Sequence, residues 1–250
     1  MTQTLKIDFV SDISCPWCAI GLAALEQALS QLRDEVAVDI YIHPFEINPQ
    51  MPAGGQDISE HLTQKYGSTP EQQMQIRATI AQRGADVGFT FNPSGRGRIY
   101  NTFDAHRLLY WAGLGSVPGQ LALKKALLLA CHAQSQSMES PDVLLNAVAS
   151  AALDVPRARA ILASDEFAAE VREAEAFYTG QGIHSVPAVV INDRHLISGG
   201  QPAAVFAQAL SQIAAEQSLA TSASPGGLGG APKLRSHSAT GIKEAAPSID

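Results

Sequence analysis

Cysteine is scarce in this chain, with three among 250 residues at positions 15, 18 and 131. So few thiols exclude a disulfide-stapled scaffold, and they leave no second pair to complete a four-cysteine zinc site. Aromatic residues make up only 6% of the sequence while alanine is abundant, a balance that leans towards helix. Basic clusters are missing too, and the net charge of −7 argues against a nucleic-acid partner. No apolar stretch approaches the ~20 residues that a membrane-spanning helix needs, so no membrane partner is expected. The opening residues, Met1-Thr2-Gln3-Thr4-Leu5-Lys6, carry neither the basic nor the apolar region of a secretory leader. A cytoplasmic protein is therefore expected, in a reducing compartment where a disulfide is more often catalytic than structural. The length suffices for one large domain or two small ones with ample core.

What is present is concentrated in Ser11-Asp12-Ile13-Ser14-Cys15-Pro16-Trp17-Cys18. Ahead of it, Leu5, Ile7 and Phe9 alternate with Lys6 and Asp8, the period of a half-buried strand. After it, Cys18, Leu22, Leu25, Leu29 and Leu32 recur at steps of four and three, the stripe of a helix that begins at the motif. Pro16 suits the first helical position, where its missing N–H would have had no partner. Cys15 then lies at the helix N-terminus and Cys18 one turn further in, close enough to close or open a disulfide with little movement. A thiolate is the attacking species, and the orphan N–H groups of a helix start stabilise it. Cys15 is accordingly the expected nucleophile, with a pKa below the free value of about 8.5 and Asp12 opposing that shift. Cys18, shielded, is the expected resolving thiol. Half of a zinc site also has this spacing, but the missing second pair makes redox use the preferred reading, with no metal.

Val36, Val38, Ile40 and Ile42 give a second strand, so strand, helix and strand form a βαβ unit with parallel strands. Pro44 and Pro49 end it, and His43 and Glu46 are read as loop and cap partners. Residues 56–180 read as helical throughout. Thr69-Pro70-Glu71-Gln72 is a capping box opening a helix to about residue 83, and further helices are expected at 101–111, 121–131, from Ser140-Pro141, and from Ser164-Asp165 to Phe177. Residues 89–98 read as a loop. Asn101, His106 and Arg107 stand out as polar residues of this region, with solvated or capping roles expected from their spacing. Cys131, in a leucine-rich run, is expected to be a buried, inert thiol. Residues 186–191 and 195–198 form two short β-type runs around the hairpin signal Asn192-Asp193-Arg194. Pro202 opens a last helix with Val205, Ala209 and Ile213 as its packed face. The ordered part should end near Gln217, because residues 218–250 are rich in small residues without an apolar period, and a disordered tail is expected there.

Several residues together carry a family resemblance: Asp12 before Cys15-Pro16-Trp17-Cys18 and Gly21, Pro44-Phe45-Glu46-Ile47-Asn48-Pro49, Asn101 with Ala105-His106-Arg107-Leu108, Gly182-Ile183, Val186-Pro187, and Ser198-Gly199-Gly200-Gln201-Pro202. In combination, over residues 5 to about 215, the chain resembles the DsbA family of thioredoxin-fold oxidoreductases, and within it the FrnE-like branch. The resemblance implies an α/β, thioredoxin-like fold with a large helical insertion between the second and third strands. The thioredoxin-like domain would be discontinuous, 1–55 and 181–217, around an inserted helical subdomain, 56–180. It also implies an enzyme of thiol–disulfide exchange, with Cys15 as nucleophile, Cys18 as resolving thiol, and Pro16 and Trp17 tuning the pair. Pro187 would be a cis-proline beside the cysteines, and Val186 with Pro187 would bind the client. No cofactor is implied beyond the redox-active Cys15–Cys18 disulfide, and the implied partners are protein thiols and disulfides or glutathione as co-substrate. The chain departs from many relatives in having Ser185 before Val186, and its tail has no second cysteine pair. Two rival readings stand beside this one. One is a glutathione-dependent transferase or isomerase of the kappa-class/2-hydroxychromene-2-carboxylate isomerase type, a branch that typically has serine at the nucleophile position. The other is a non-catalytic thioredoxin-like binding or chaperone module.

Overall fold

A computed structural model of the protein describes residues 4–223 and 235–236. The first strand, β1 (Thr4–Ser11), runs into α1 (Pro16–Gln31), and β2 (Ala37–Pro44) returns alongside β1. The two strands are parallel, with Ile7 opposite Ile40 and Phe9 opposite Ile42, as a helical crossover dictates.

An insertion follows. It comprises β3 (Gln56–Asp57), α2 (Ile58–Tyr66), α3 (Pro70–Asp86), β4 (Arg98–Ile99), α4 (Phe103–Gly115), α5 (Val117–Leu128), a π-helical turn (Leu129–Ala133), α6 (Pro141–Ser150), α7 (Val155–Leu162) and α8 (Ala168–Gly180). The Thr69 capping box is present, with Thr69 and Gln72 each accepting from the other's backbone N–H. The sheet resumes with β5 (Ala188–Ile191) and β6 (His195–Ser198), and α9 (Ala203–Ala223) closes the fold. Asn192 and Asp193 both have positive φ, 52° and 55°, the twist that a tight antiparallel hairpin demands. The order across the sheet is β2-β1-β5-β6, with β5 antiparallel to β1, and the short β7 (Arg235–Ser236) lies parallel beyond β6.

Strand alternation divides the core. Leu5, Ile7 and Phe9 of β1 join Val189 and Ile191 of β5 in the main cluster, which continues without a break into Leu108, Leu123 and Leu127 of the insertion. Val10, Ala188 and Val190 face the other way, against Tyr178 and Ile183 at the end of α8.

Four expectations need correction. Residues 56–180 are not helical throughout, because β3 and β4 pair antiparallel through Gln56 and Ile99. The helix at 155–162 lies within the stretch read as helical, though its start is not among those expected; Asp154 caps it by accepting from the Arg157 N–H. The helix expected from Ser164-Asp165 begins only at Ala168, since the carbonyls of Ser164 and Glu166 bond to Arg107 and Phe167 takes a left-handed φ of 64°. In α9 the buried stripe is Phe206, Leu210 and Ile213, so Val205 and Ala209 stand beside it rather than on it. That helix also continues past Gln217 to Ala223. The remainder of the tail expected at 218–250, apart from β7, lies outside the described residues.

Candidate active site

The chain leaves β1 at Ser11, turns through 12–14, and enters α1 with Cys15 at the N-cap and Pro16 in the first turn. Cys15 offers no side-chain cap, so the first N–H groups of α1 are left to other acceptors. The Cys18 N–H reaches the Cys15 carbonyl at 3.1 Å, which brings the two residues onto one turn. Both cysteines are buried and both thiols are free.

The two sulfurs differ in their surroundings. The Cys18 thiol donates to Cys15 and holds the Cys15 pKa below its ordinary value, with help from the backbone N–H groups of Cys18 and Trp17 and against burial and the Asp12 charge. The helix start thus contributes as expected, but second to the partner thiol. Cys18 shifts the other way, because burial and the neighbouring Cys15 push its pKa well up.

Opposite the pair, the Cys15 Sγ lies 3.6 Å from the Val186 carbonyl oxygen, and the Val186–Pro187 peptide is cis. Two glycines allow this approach. A Cβ on Gly21 would stand 3.0 Å from Pro187 Cγ, and one on Gly200 would stand 3.0 Å from the Trp17 carbonyl oxygen. The Gly199 N–H donates to the Pro187 carbonyl at 2.8 Å, so the end of β6 fastens the loop from behind. Cys15, Pro16, Trp17, Cys18, Val186 and Pro187 therefore form one constellation.

Below the turn sits Asp12, fully buried and ionised. Burial works to raise its pKa, but His106 and the N–H groups of Ile47 and Ser14 outweigh that and hold it far below the usual carboxylate range. Its Oδ1 accepts from the Ser14 N–H at 3.1 Å and the Thr102 hydroxyl at 2.9 Å, and its Oδ2 from the Ser14 hydroxyl at 2.9 Å and the Ile47 N–H at 2.8 Å. His106 Nε2 lies 3.5 Å away. His106 thus has a buried role at the site rather than the solvated or capping one expected. Asn101 does cap, accepting from the Phe103 N–H at 2.8 Å. Arg107 is buried away from the cysteines and ties Asp104 to the carbonyls of Ile161, Ser164 and Glu166. His43 pairs with Asp8 at 2.8 Å and Glu46 with Arg172, both as loop and strand partners.

Three further side chains around the turn went unread in the sequence. Arg96 donates to the Ser14 carbonyl at 2.9 Å and to Cys131 Sγ at 3.4 Å. His132 Nε2 donates to the Ile13 carbonyl at 2.9 Å, and burial holds its pKa well below normal, so it stays neutral. Lys124 on α5 is wholly buried. No local pattern marks them, since each contact spans tens of residues. Cys131 is buried with a raised pKa, caused first by burial, as an inert thiol should be. Among the described residues no three His, Cys, Asp or Glu side chains gather as metal ligands.

The family profile described as DSBA-like thioredoxin domain matches residues 6–211. Among solved structures the chain is similar to the probable DsbA oxidoreductase of Streptomyces coelicolor, at 31% identity and a TM-score of 0.77, over 90% of this chain and 93% of that one. At lower identity, in fold alone, it is similar to a 2-hydroxychromene-2-carboxylate isomerase, with 12% identity, a TM-score of 0.61, and 86% and 98% of the two chains covered. It is similar in the same way to the cytosolic disulfide reductase DsbM of Pseudomonas aeruginosa with GSH, with 13% identity, a TM-score of 0.56, and 87% and 99% covered. No curated protein matches.

Proposed function

This chain belongs to the DSBA-like thioredoxin domain family, and from that premise we propose that it is a protein thiol–disulfide oxidoreductase working through Cys15 and Cys18. The observation that carries the reading is the placement of the pair: Cys15 stands at the N-cap of α1 with its Sγ 3.6 Å from the Val186 carbonyl oxygen, while Cys18, one turn further in, has no exposed surface. The directions of the two pKa shifts, Cys15 down and Cys18 up, agree with that placement. The Cys15 thiolate attacks one sulfur of a client disulfide, and the other client sulfur leaves as a thiolate. Cys18 then attacks Cys15 Sγ, releasing the second client thiolate and closing the Cys15–Cys18 bond. An oxidised enzyme meeting a client dithiol runs the same steps backwards. The Val186 backbone, beside Cys15, suits an extended client segment that pairs through main-chain groups, so recognition depends little on client sequence.

The finer placement in the FrnE-like branch rests on the combination of Asp12 before Cys15-Pro16-Trp17-Cys18 and Gly21 with 44–49, Asn101 and 105–108, Gly182-Ile183, Val186-Pro187 and 198–202. A cytoplasmic setting fits the three free thiols. Among the described residues, no helix is long and apolar enough to cross a membrane. Glutathione is the alternative small partner, because the similar reductase DsbM was solved with GSH. Cysteine at position 15 weighs against the glutathione-dependent isomerase reading.

The test is a pair of variants. Cys15→Ser abolishes reduction of an insulin disulfide, whereas Cys18→Ser retains attack and accumulates mixed disulfides visible on a non-reducing gel. Equal trapping by both variants would overturn the assignment of roles, and insulin reduction unaffected by either would overturn the activity.

A further inference from the structure

Lys124 has no exposed surface, and its Nζ has no hydrogen-bond partner among the described residues. A buried ammonium left unpaired is costly, so such a lysine favours its neutral amine. Burial does push the Lys124 pKa down.

Its place is fixed from both sides along one stripe of helix. One turn earlier, the Gln120 side chain bonds both backbone groups of Ile42 in β2. Two turns later, Cys131 and His132 meet Arg96 and the Ile13 carbonyl, at the turn that carries Cys15. Lys124 lies between these anchors, and its neighbour Lys125 pairs with Glu26 of α1 at 2.7 Å, so this stretch of α5 lies against the helix that carries the equally buried Cys18. Of the groups that bear on Lys124, Cys18 comes first, then Asp12, Cys15 and Cys131. The other groups around it are settled. Asp12 is ionised, His132 is neutral, Cys131 keeps its proton, and Arg96 is engaged with Ser14.

Cys18 presents the complementary difficulty. It is fully enclosed and holds its proton tightly, yet resolving the mixed disulfide requires its thiolate. A resolving thiol without a nearby base would have to wait for hydroxide to enter a closed site.

Resting on the exchange reading above, we propose that Lys124 is the proton acceptor that activates Cys18 for the resolving step. In that step Cys18–SH and Lys124–NH2 become Cys18–S− and Lys124–NH3+. The thiolate attacks Cys15 Sγ, the Cys15–client bond breaks as the Cys15–Cys18 bond forms, and the electron pair leaves on the client thiolate. The enzyme sulfurs are oxidised, the client sulfur is reduced, and the client thiolate takes its proton from solvent. In the reverse direction Lys124 returns the proton to the departing Cys18. The two groups are not hydrogen-bonded in the resting dithiol state; catalytic hydrogen bonds often tighten only in the reacting complex.

The experiment uses an aromatic disulfide whose thiolate absorbs visibly, mixed with the full reduced chain in a stopped-flow instrument. Attack by Cys15 releases the first thiolate and attack by Cys18 the second. In Lys124→Met the second phase slows by roughly a hundredfold near pH 7, the lower end of general acid–base assistance, while the first changes far less. Raising the pH then recovers the second phase of the variant, because hydroxide replaces the missing amine. A second phase equal to wild type, or both phases slowed together with no recovery at high pH, would overturn the inference. Absence of a second release in the wild type would instead overturn the exchange mechanism, and this inference with it. Should Lys124→Met fail to fold, ¹³Cε-lysine NMR of the wild type gives the second measurement. One lysine then titrates below the rest, and its midpoint falls further in Cys18→Ala. No such lysine, or an unmoved midpoint, counts against the inference.

Discussion

Asp12 shows how one residue can serve the site without touching a client. Its carboxylate accepts four hydrogen bonds, from two groups of Ser14, from Ile47 and from Thr102, and so joins the active-site turn to the loop after β2 and to the insertion. Replacing it with asparagine leaves one oxygen and turns an N–H towards donors that need an acceptor. Asp12→Asn should cost about 2–3 kcal/mol in denaturant unfolding, the scale for buried donors left unmatched. The sign of its pH dependence follows from its depressed pKa. The stabilisation from the carboxylate is fully present above the unfolded value of about 3.9 and is lost as pH falls from there towards the folded value. Wild type should therefore lose stability below about pH 4 more steeply than the variant. The same substitution removes a charge that raises the Cys15 pKa, so the thiolate absorbance of Cys15 should titrate lower in Asp12→Asn. A variant matching wild type in both titrations would show that Asp12 is not the acid-sensitive link.

At the scale of elements, the pattern of the sequence was legible wherever a helix or strand reports on itself. The strand at Leu5, the stripe from Cys18, the Thr69 capping box and the Asn192-Asp193 turn each appear where they are read, although β1 is buried on both faces from Ile7 onward rather than on one, with Asp8 and Val10 enclosed. What escaped was set by distant partners. The delayed start of α8 depends on Arg107, whose own helix lies before α5, and the β3–β4 pair joins segments separated by two helices. The close packing of α1 against the Pro187 loop is of the same kind. A glycine inside a helix costs stability on its own, yet Gly21 stands where a Cβ would lie 3.0 Å from Pro187 Cγ and 3.4 Å from Gly200 Cα. Two effects of comparable size oppose one another in Gly21→Ala: about 1 kcal/mol of helix propensity is gained, and crowding costs ~1–3 kcal/mol. Stability should change little, but the loop carrying Val186 must move away from Cys15. Exchange with a protein disulfide should then fall severalfold while alkylation of Cys15 by iodoacetamide stays near wild type. Equal losses in the two reactions would mean that Gly21 acts on the thiol and not on the client surface.

At the scale of the whole molecule, the sequence reads as a thioredoxin-like part around a helical insertion at 56–180, but the site and the main core draw on both. Thr102, His106, Lys124 and His132 all come from the insertion and all bear on the turn that carries Cys15 or on Cys18. Gln120 shows why the two parts should be inseparable. β2 is the outer strand of the sheet, and an outer strand exposes unpaired backbone groups. The Gln120 side chain supplies the missing partner at Ile42, accepting from its N–H at 2.9 Å and donating to its carbonyl at 2.9 Å, with a third bond to the Leu109 carbonyl at 3.1 Å. Water is excluded there, since Gln120 is buried. Gln120→Ala should strand the N–H and carbonyl of Ile42 together, at roughly 2–4 kcal/mol for the pair. The two tryptophans report on the two sides, Trp17 in α1 and Trp111 in α4. In Trp111→Phe and Trp17→Phe backgrounds, each with one tryptophan left, Gln120→Ala should lower the urea midpoint read in each by the same amount. If the Trp111 signal moved while the Trp17 signal stayed in place, the insertion would be a separable unit, and the buried groups it sends beneath Cys15 could not hold the site as described.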